Sequence, residues 1–245
     1  RSALLGEVPA LVAAAVFPHM SPTLVERAVT RRMEVCDAAT LVQVRLAQRR
    51  VDEALADARR AMALLDQLGG IEEGEALVRL AYAEALAAFP KPTLAGIRGH
   101  CVGGGAQLAA ACDLRFAAEG SLFGVTPAKL GIVYPASSTR RLVALVGPAT
   151  AKYLLFSGEL IDAERALRTG LVDEVLPEGE LDKRVAEFTR VLAARSLLTQ
   201  AAAKEFVNGR TDRDAHWARA ARTGGDTAEG VAAFLERRQP RFTWT

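Results

Sequence analysis

The chain has 245 residues, a formal net charge of +2, and half of its residues are hydrophobic while only 6% are aromatic. That is length enough for one sizeable core, and abundant alanine with few aromatics favours closely packed helices over a β-sandwich. Acids and bases are interleaved rather than blocked, which excludes the electrostatic footprint of a nucleic-acid or anionic-membrane binder and leaves a small-molecule ligand as the expectation.

No apolar run reaches the ~18 residues of a membrane span. The early stretch VPALVAAAVFP (Val8 to Pro18) is preceded only by Arg1 and an offsetting Glu7, and is not read as a signal segment. Helical patterns follow at Thr23 to Met33 and Arg49 to Leu68, with TLVQVRL (Thr40 to Leu46) between them reading as a strand. The character changes near Gly69-Gly70, which suggests a divergent N-terminal part, 1–70, ahead of a core, 71–185, and a helical C-terminal region, 186–245. Three cysteines, Cys36, Cys101 and Cys112, have neither metal-knuckle spacing nor the even count of a disulfide framework. They read as small buried hydrophobes in a reducing, cytoplasmic setting, with no metal expected.

After the glycine pair, Glu72 to Phe89 has acids in its first turn, helical apolar spacing, and Pro90 beyond its end. PTLAGIRG then reads as a buried strand, GAQLAAAC as a helix, and DLRFAAE as another strand. SSTRRLVALVG, PATAKYLLFSG and DAERALRTG are three helical units punctuated by glycine, LVDEVLP is a strand, and the chain from Glu178 is helical, with Asp226 as an N-cap for the last helix.

The glycine run Gly103 to Gly105 sits at the mouth of an apolar helix. Such a run serves either close helix–strand packing or an anion site, because a helix N-terminus offers unpaired backbone N–H groups and a partial positive charge. If the anion exists only in a transition state, those donors form an oxyanion hole, with Gly104 and Gly105 placed to supply them. The run is neither GxGxxG nor a phosphate-binding P-loop.

Read together, Lys91-Pro92, Gly99, GGGAQLAAACDLRFA, Phe123-Gly124, KLGIVYPASSTRRL, LVGPATAKYLLFSGELIDAERALRTGLVDEVLP and FLERRQPRF resemble the crotonase, or enoyl-CoA hydratase/isomerase, superfamily, from about Glu72 to Phe242. The resemblance implies an α/β fold, a four-turn β/β/α spiral with a helical C-terminal trimerisation region, assembled as a homotrimer or hexamer. It implies acyl-CoA substrates, with coenzyme A part of the substrate and no separate cofactor. Gly104 resembles one oxyanion donor, with Gly103 and Gly105 beside the bound thioester. Lys204, Arg237 and Arg238 lie where the family meets coenzyme A phosphates and the neighbouring subunit.

The chain departs from the family in two places. The two glutamates that hydratases use as general base and acid fall on Gln107 and Pro127, neither of which exchanges protons near neutral pH. TPAKLGIVYP resembles instead the decarboxylase branch, which sets Tyr134 over the acyl group with Gln107 as a second polar wall. The loop that supplies the first oxyanion N–H has only one echo, RAMALLDQLGG, where Ala63 or Leu64 would be the donor or contact the thioester. His100 beside the glycine run reads as structural, and Ser137, Ser138 and Thr139, in place of the usual glycine pair and threonine, read as helix caps. Decarboxylase-like enolate chemistry is the expectation. The alternatives are a hydratase or isomerase using other groups, and a non-catalytic acyl-CoA binder.

Overall fold

The computed structural model describes residues 38–67 and 75–244, and the chain divides into two compact units, Arg1–Ala85 and Leu86–Thr245. The helix read at Thr23 to Met33, Cys36 and the Gly69-Gly70 pair lie outside the described residues.

In the first unit, residues 38–47 form α1, Val51–Gln67 form α2, and α3 (Glu75–Ala88) carries the chain across the boundary between units. The strand expected at Thr40 to Leu46 is therefore helix. Its valines fit both periods, but burial at Ala38, Ala39 and Val42 follows the helical one, and Arg45 reaches across to Glu53 and Asp57 of α2. Tertiary pairing with α2 outweighs the β-propensity of the valines. Arg49, at φ 59°, turns the chain between the two helices.

In the second unit the strands fall into two sheets. One is ordered β1 (Leu94–Ile97), β3 (Leu114–Ala118), β6 (Glu174–Leu176), all parallel. The other is ordered β2 (His100–Val102), β4 (Leu122–Gly124), β5 (Ile161–Asp162), parallel and then antiparallel. The chain steps from the first sheet to the second at Arg98-Gly99, between β1 and β2, so two strands rather than one precede the glycine turn. It steps again between β3 and β4, in register Leu94 with Leu114 and His100 with Leu122.

Each strand pair is followed by helix: α4 (Gly104–Ala111) after the first, α5 (Pro127–Leu130) and α6 (Ala136–Ser157) after the second. This is the β/β/α spiral, of which the described residues hold two such turns closed by β5, α7 (Ala163–Arg168) and β6. Among the described residues no further turn is formed, since residues 38–47, 51–67 and 75–88 fold as helices. The glycine punctuation inside α6 is real: Gly147 at φ 72°, followed by Pro148, kinks it.

Between sheets and helices lie Ile97, Cys101, Phe123, Leu142, Leu154 and Ile161. Phe116 packs edge-on against Phe188 of α8 (Leu181–Ala193) with Arg184 over both rings. Burying each such side chain contributes about 1.5–3 kcal/mol. Beyond α8 come α9 (Leu197–Val207), α10 (Asp214–Thr223) and α11 (Asp226–Leu235). Asp226 is not the N-cap of α11, a place taken by Gly225. Its buried carboxylate accepts instead from Ser196 Oγ at 2.7 Å and Thr243 N at 3.2 Å, tying the tail to the start of α9. Among the described residues no helix is long and apolar enough to cross a membrane.

The most constrained polar group is Arg115, 3% exposed on β3. Its guanidinium donates to Leu171 O at 3.0 Å, Cys112 O at 2.7 Å and Asp113 O at 3.3 Å, and pairs with Asp173 at 3.1 Å. Removing the buried guanidinium leaves the carbonyls it binds without that donor, while the exposed Asp173 is rehydrated. Arg115→Ala is expected to lower stability by about 1–3 kcal/mol in urea titration, and Arg115→Lys, which keeps the charge without the fork, by less.

Candidate active site

The site is built where β2 becomes α4. Gly103, at φ 56° and ψ −111°, occupies backbone space open essentially to glycine alone, and this conformation swings the chain directly into the helix. Its N–H donates to Gly124 O of β4 at 3.0 Å, while its carbonyl accepts from Gln107 N at 3.0 Å. The next amides, Gly104 and Gly105, stand at the first turn of α4, where N–H groups have no intrahelical acceptor and the helix dipole adds positive potential. A Cβ at Gly105 would meet nothing within 4 Å, so the glycine leaves that approach open.

Two side chains from the neighbourhood of α6 converge on this turn. Tyr134, just ahead of α6, donates its hydroxyl to Gly103 O at 3.4 Å. Burial pushes its phenol up to about 12, with a smaller raising effect from Cys101 and a lowering one from Arg141, so it stays protonated through the neutral range. One helical turn later, Ser138 Oγ accepts from Gln107 Nε2 at 2.7 Å; the two residues are 2% and 5% exposed. Gln107 lies three positions after Gly104, on the same face of α4, and side chains there lean back toward the N-terminus. Ser138 and Tyr134 also border an apolar cavity of about 10 Å³ shared with Cys101, Phe123 and Leu142, room for a single water. The Cys101 thiol is pushed up to about 12 by its burial and is not a thiolate.

The structure thus brings Gly103, Gly104, Gly105, Gln107 and Tyr134 together. Ser138 is the residue that the sequence reading misassigned: Pro135 holds the N-cap position of α6, and Ser138 is a buried partner of Gln107 rather than a cap. The signal was present as two departures from one family pattern, Gln107 for a glutamate and Ser138 for a glycine, whose contact only the fold reveals.

Other expected residues stand elsewhere. Ala63 and Leu64 lie inside α2, where each backbone N–H serves the carbonyl four residues earlier, so neither is a free donor. Pro127 is the first residue of α5 and buried; its carbonyl accepts from Ile132, and its side chain has nothing to exchange. His100 is exposed on β2. Lys204 is committed within the fold, its ammonium 2.7 Å from Asp113 Oδ2 and 3.2 Å from Lys91 O. Asp113 lies beyond the far end of α4, about 12 Å along the axis from the glycine turn. Lys204 therefore neutralises a carboxylate that also holds Thr93, instead of offering a free cation to phosphate. Arg238 is likewise paired, with Glu229 and Glu236.

The profile of the enoyl-CoA hydratase/isomerase family matches residues 72–244. A crotonyl-CoA hydratase of Syntrophomonas wolfei is 39% identical over 165 residues, covering 63% of this chain and 63% of that protein. A mitochondrial methylglutaconyl-CoA hydratase of Rattus norvegicus is 35% identical over 170 residues, covering 64% and 54%. The match thus spans less than two thirds of either relative. The solved structure of an enoyl-CoA hydratase from Bacillus anthracis superposes with a TM-score of 0.63 at 30% identity, covering 73% of this chain and 74% of that one. The spiral, the glycine turn and these likenesses agree: the chain belongs to the enoyl-CoA hydratase/isomerase family.

Proposed function

We propose that the chain acts on an acyl-CoA thioester, stabilising the enolate of its acyl group with the Gly104 N–H, and that its chemistry is closer to decarboxylation than to hydration. The observation that carries this reading is the set of groups around the glycine turn: backbone donors, a carboxamide, a serine and a protonated tyrosine. None of these side chains exchanges protons in the neutral range, as deprotonating water would require. Loss of CO₂ needs no strong base. The Cα–carboxylate bond breaks, its electron pair moves into the enolate, and donors aimed at the thioester oxygen bear the charge until Cα takes a proton from water.

The second reading is hydration with other groups, favoured by the names of the relatives, a crotonyl-CoA hydratase and a methylglutaconyl-CoA hydratase. In either reading coenzyme A is part of the substrate and no separate cofactor is needed. Exposed Val231, Phe234 and Leu235 on α11 support self-association as a homotrimer or hexamer, and the free thiols of Cys101 and Cys112 suit the cytoplasm.

Side-by-side turnover of methylmalonyl-CoA and crotonyl-CoA tests the reading. CO₂ release without hydration is expected; hydration at ordinary enzymatic rates would assign the site to a hydratase, and tight binding of both with no turnover to a non-catalytic binder. Gly104→Pro removes the donor while suiting the first position of a helix. It is expected to lower kcat by about 10²–10³-fold with little change in thermal stability. The rate should be level between about pH 6 and pH 9, because Tyr134 stays neutral and Gln107 does not titrate. Gln107→Glu should bend that profile without raising the rate of CO₂ loss.

A further inference from the structure

The geometry points to Ser138 as the positioning and specificity-determining residue of this site, holding Gln107 so that the two present a fixed, uncharged pair of donors to an acyl group that carries a carboxylate. The inference deepens the acyl-CoA reading and rests on it.

Ser138 accepts one hydrogen of Gln107 Nε2 at 2.7 Å, which orients the carboxamide and occupies a hydroxyl lone pair. Among the described residues that is the hydroxyl's only hydrogen bond, so its own proton has no acceptor, although the residue is 2% exposed. Gln107, 5% exposed, likewise makes no other side-chain hydrogen bond, so the second hydrogen on Nε2 is unused. The remaining donor capacity of Gln107 on α4 and Ser138 on α6, side by side, is matched by a ligand with acceptor oxygens. Crotonyl-type acyl groups have none beyond the thioester carbonyl, whereas malonyl-type groups have two more, on a carboxylate borne by the carbon next to that carbonyl. Both donors are uncharged and would hold a carboxylate without neutralising it, a setting that favours its loss as CO₂.

A glycine at 138 would leave the residue at 107 unpinned, and a glutamate at 107 would be charged. The two residues make sense as a pair, which is why the test perturbs Ser138 and reads Gln107. Wild-type protein, Ser138→Ala and Ser138→Thr, each checked for an unchanged melting profile, are titrated with methylmalonyl-CoA and with crotonyl-CoA. The side-chain amide protons of Gln107 are followed by NMR in selectively labelled glutamine samples.

Ser138→Ala is expected to weaken methylmalonyl-CoA binding about 10- to 100-fold, as for a hydrogen bond to a charged group, and to leave crotonyl-CoA within about 2-fold. Ser138→Thr, which keeps the hydroxyl, should restore most of the loss. The Gln107 amide protons should be distinct and slow to exchange in wild type and averaged in Ser138→Ala. Equal weakening of both thioesters, or none, overturns the specificity role; an unchanged Gln107 amide signal overturns the positioning role. If folded wild-type protein binds neither thioester, the acyl-CoA reading fails and the carboxylate preference with it, while the amide signal still decides whether Ser138 holds Gln107.

Discussion

The arrangement of the second unit turns on one peptide, Gly103, whose N–H is held by Gly124 of the neighbouring strand and whose carbonyl starts α4. That double engagement fixes the angle at which strand becomes helix, and so the direction in which the amides of Gly104 and Gly105 point. A side chain at 103 would meet no neighbour within 4 Å; it is the positive φ, not crowding, that reserves the place for glycine. Tyr134 adds a third constraint by donating to the same carbonyl, so the turn is bound to β4 on one side and to the approach of α6 on the other.

The opposite end of α4 is anchored by charge. Arg115 gathers the carbonyls of Cys112, Asp113 and Leu171, and Lys204 closes on Asp113, which also holds Thr93. The two cations are largely buried but paired and hydrogen-bonded, the condition under which burial of charge is tolerated. The two ends of one short helix thus have opposite characters: unpaired backbone donors with neutral side chains at its N-terminus, saturated ion pairs beyond its C-terminus. A negative charge developing near Gly104 would meet donors there without a competing counter-ion.

Much of this was legible in the sequence. GGGAQLAAACDLRFA set helix and strand in order, because glycine run, alanine-rich helix and β-rich strand each follow from local preference, and the motif order downstream was enough to mark the family. The Gly147 break and the helical tail followed from spacing and proline. Thr40 to Leu46 was not legible, since Val42 and Val44 fit a strand as well as a helix and the choice is made by Arg45 meeting α2. Lys204 was misread for a related reason: a basic residue on a C-terminal helix looks available until the fold places Asp113 beside it.

The sequence by itself determined the glycine turn between strand and helix and the absence of carboxylates at 107 and 127, because these depend on residue identity and on neighbours close along the chain; that two strands precede the turn was decided by their pairing in separate sheets. Only the tertiary structure decided that Gln107 and Ser138, separated by 31 positions, form one hydrogen-bonded pair, that Asp226 secures the tail instead of capping a helix, and that Ala63 and Leu64 lie within helix. The physical reason is the same in each case: a polar group's role is set by the partner that burial leaves within about 3 Å of it, and that partner is chosen by the packing of elements distant in sequence.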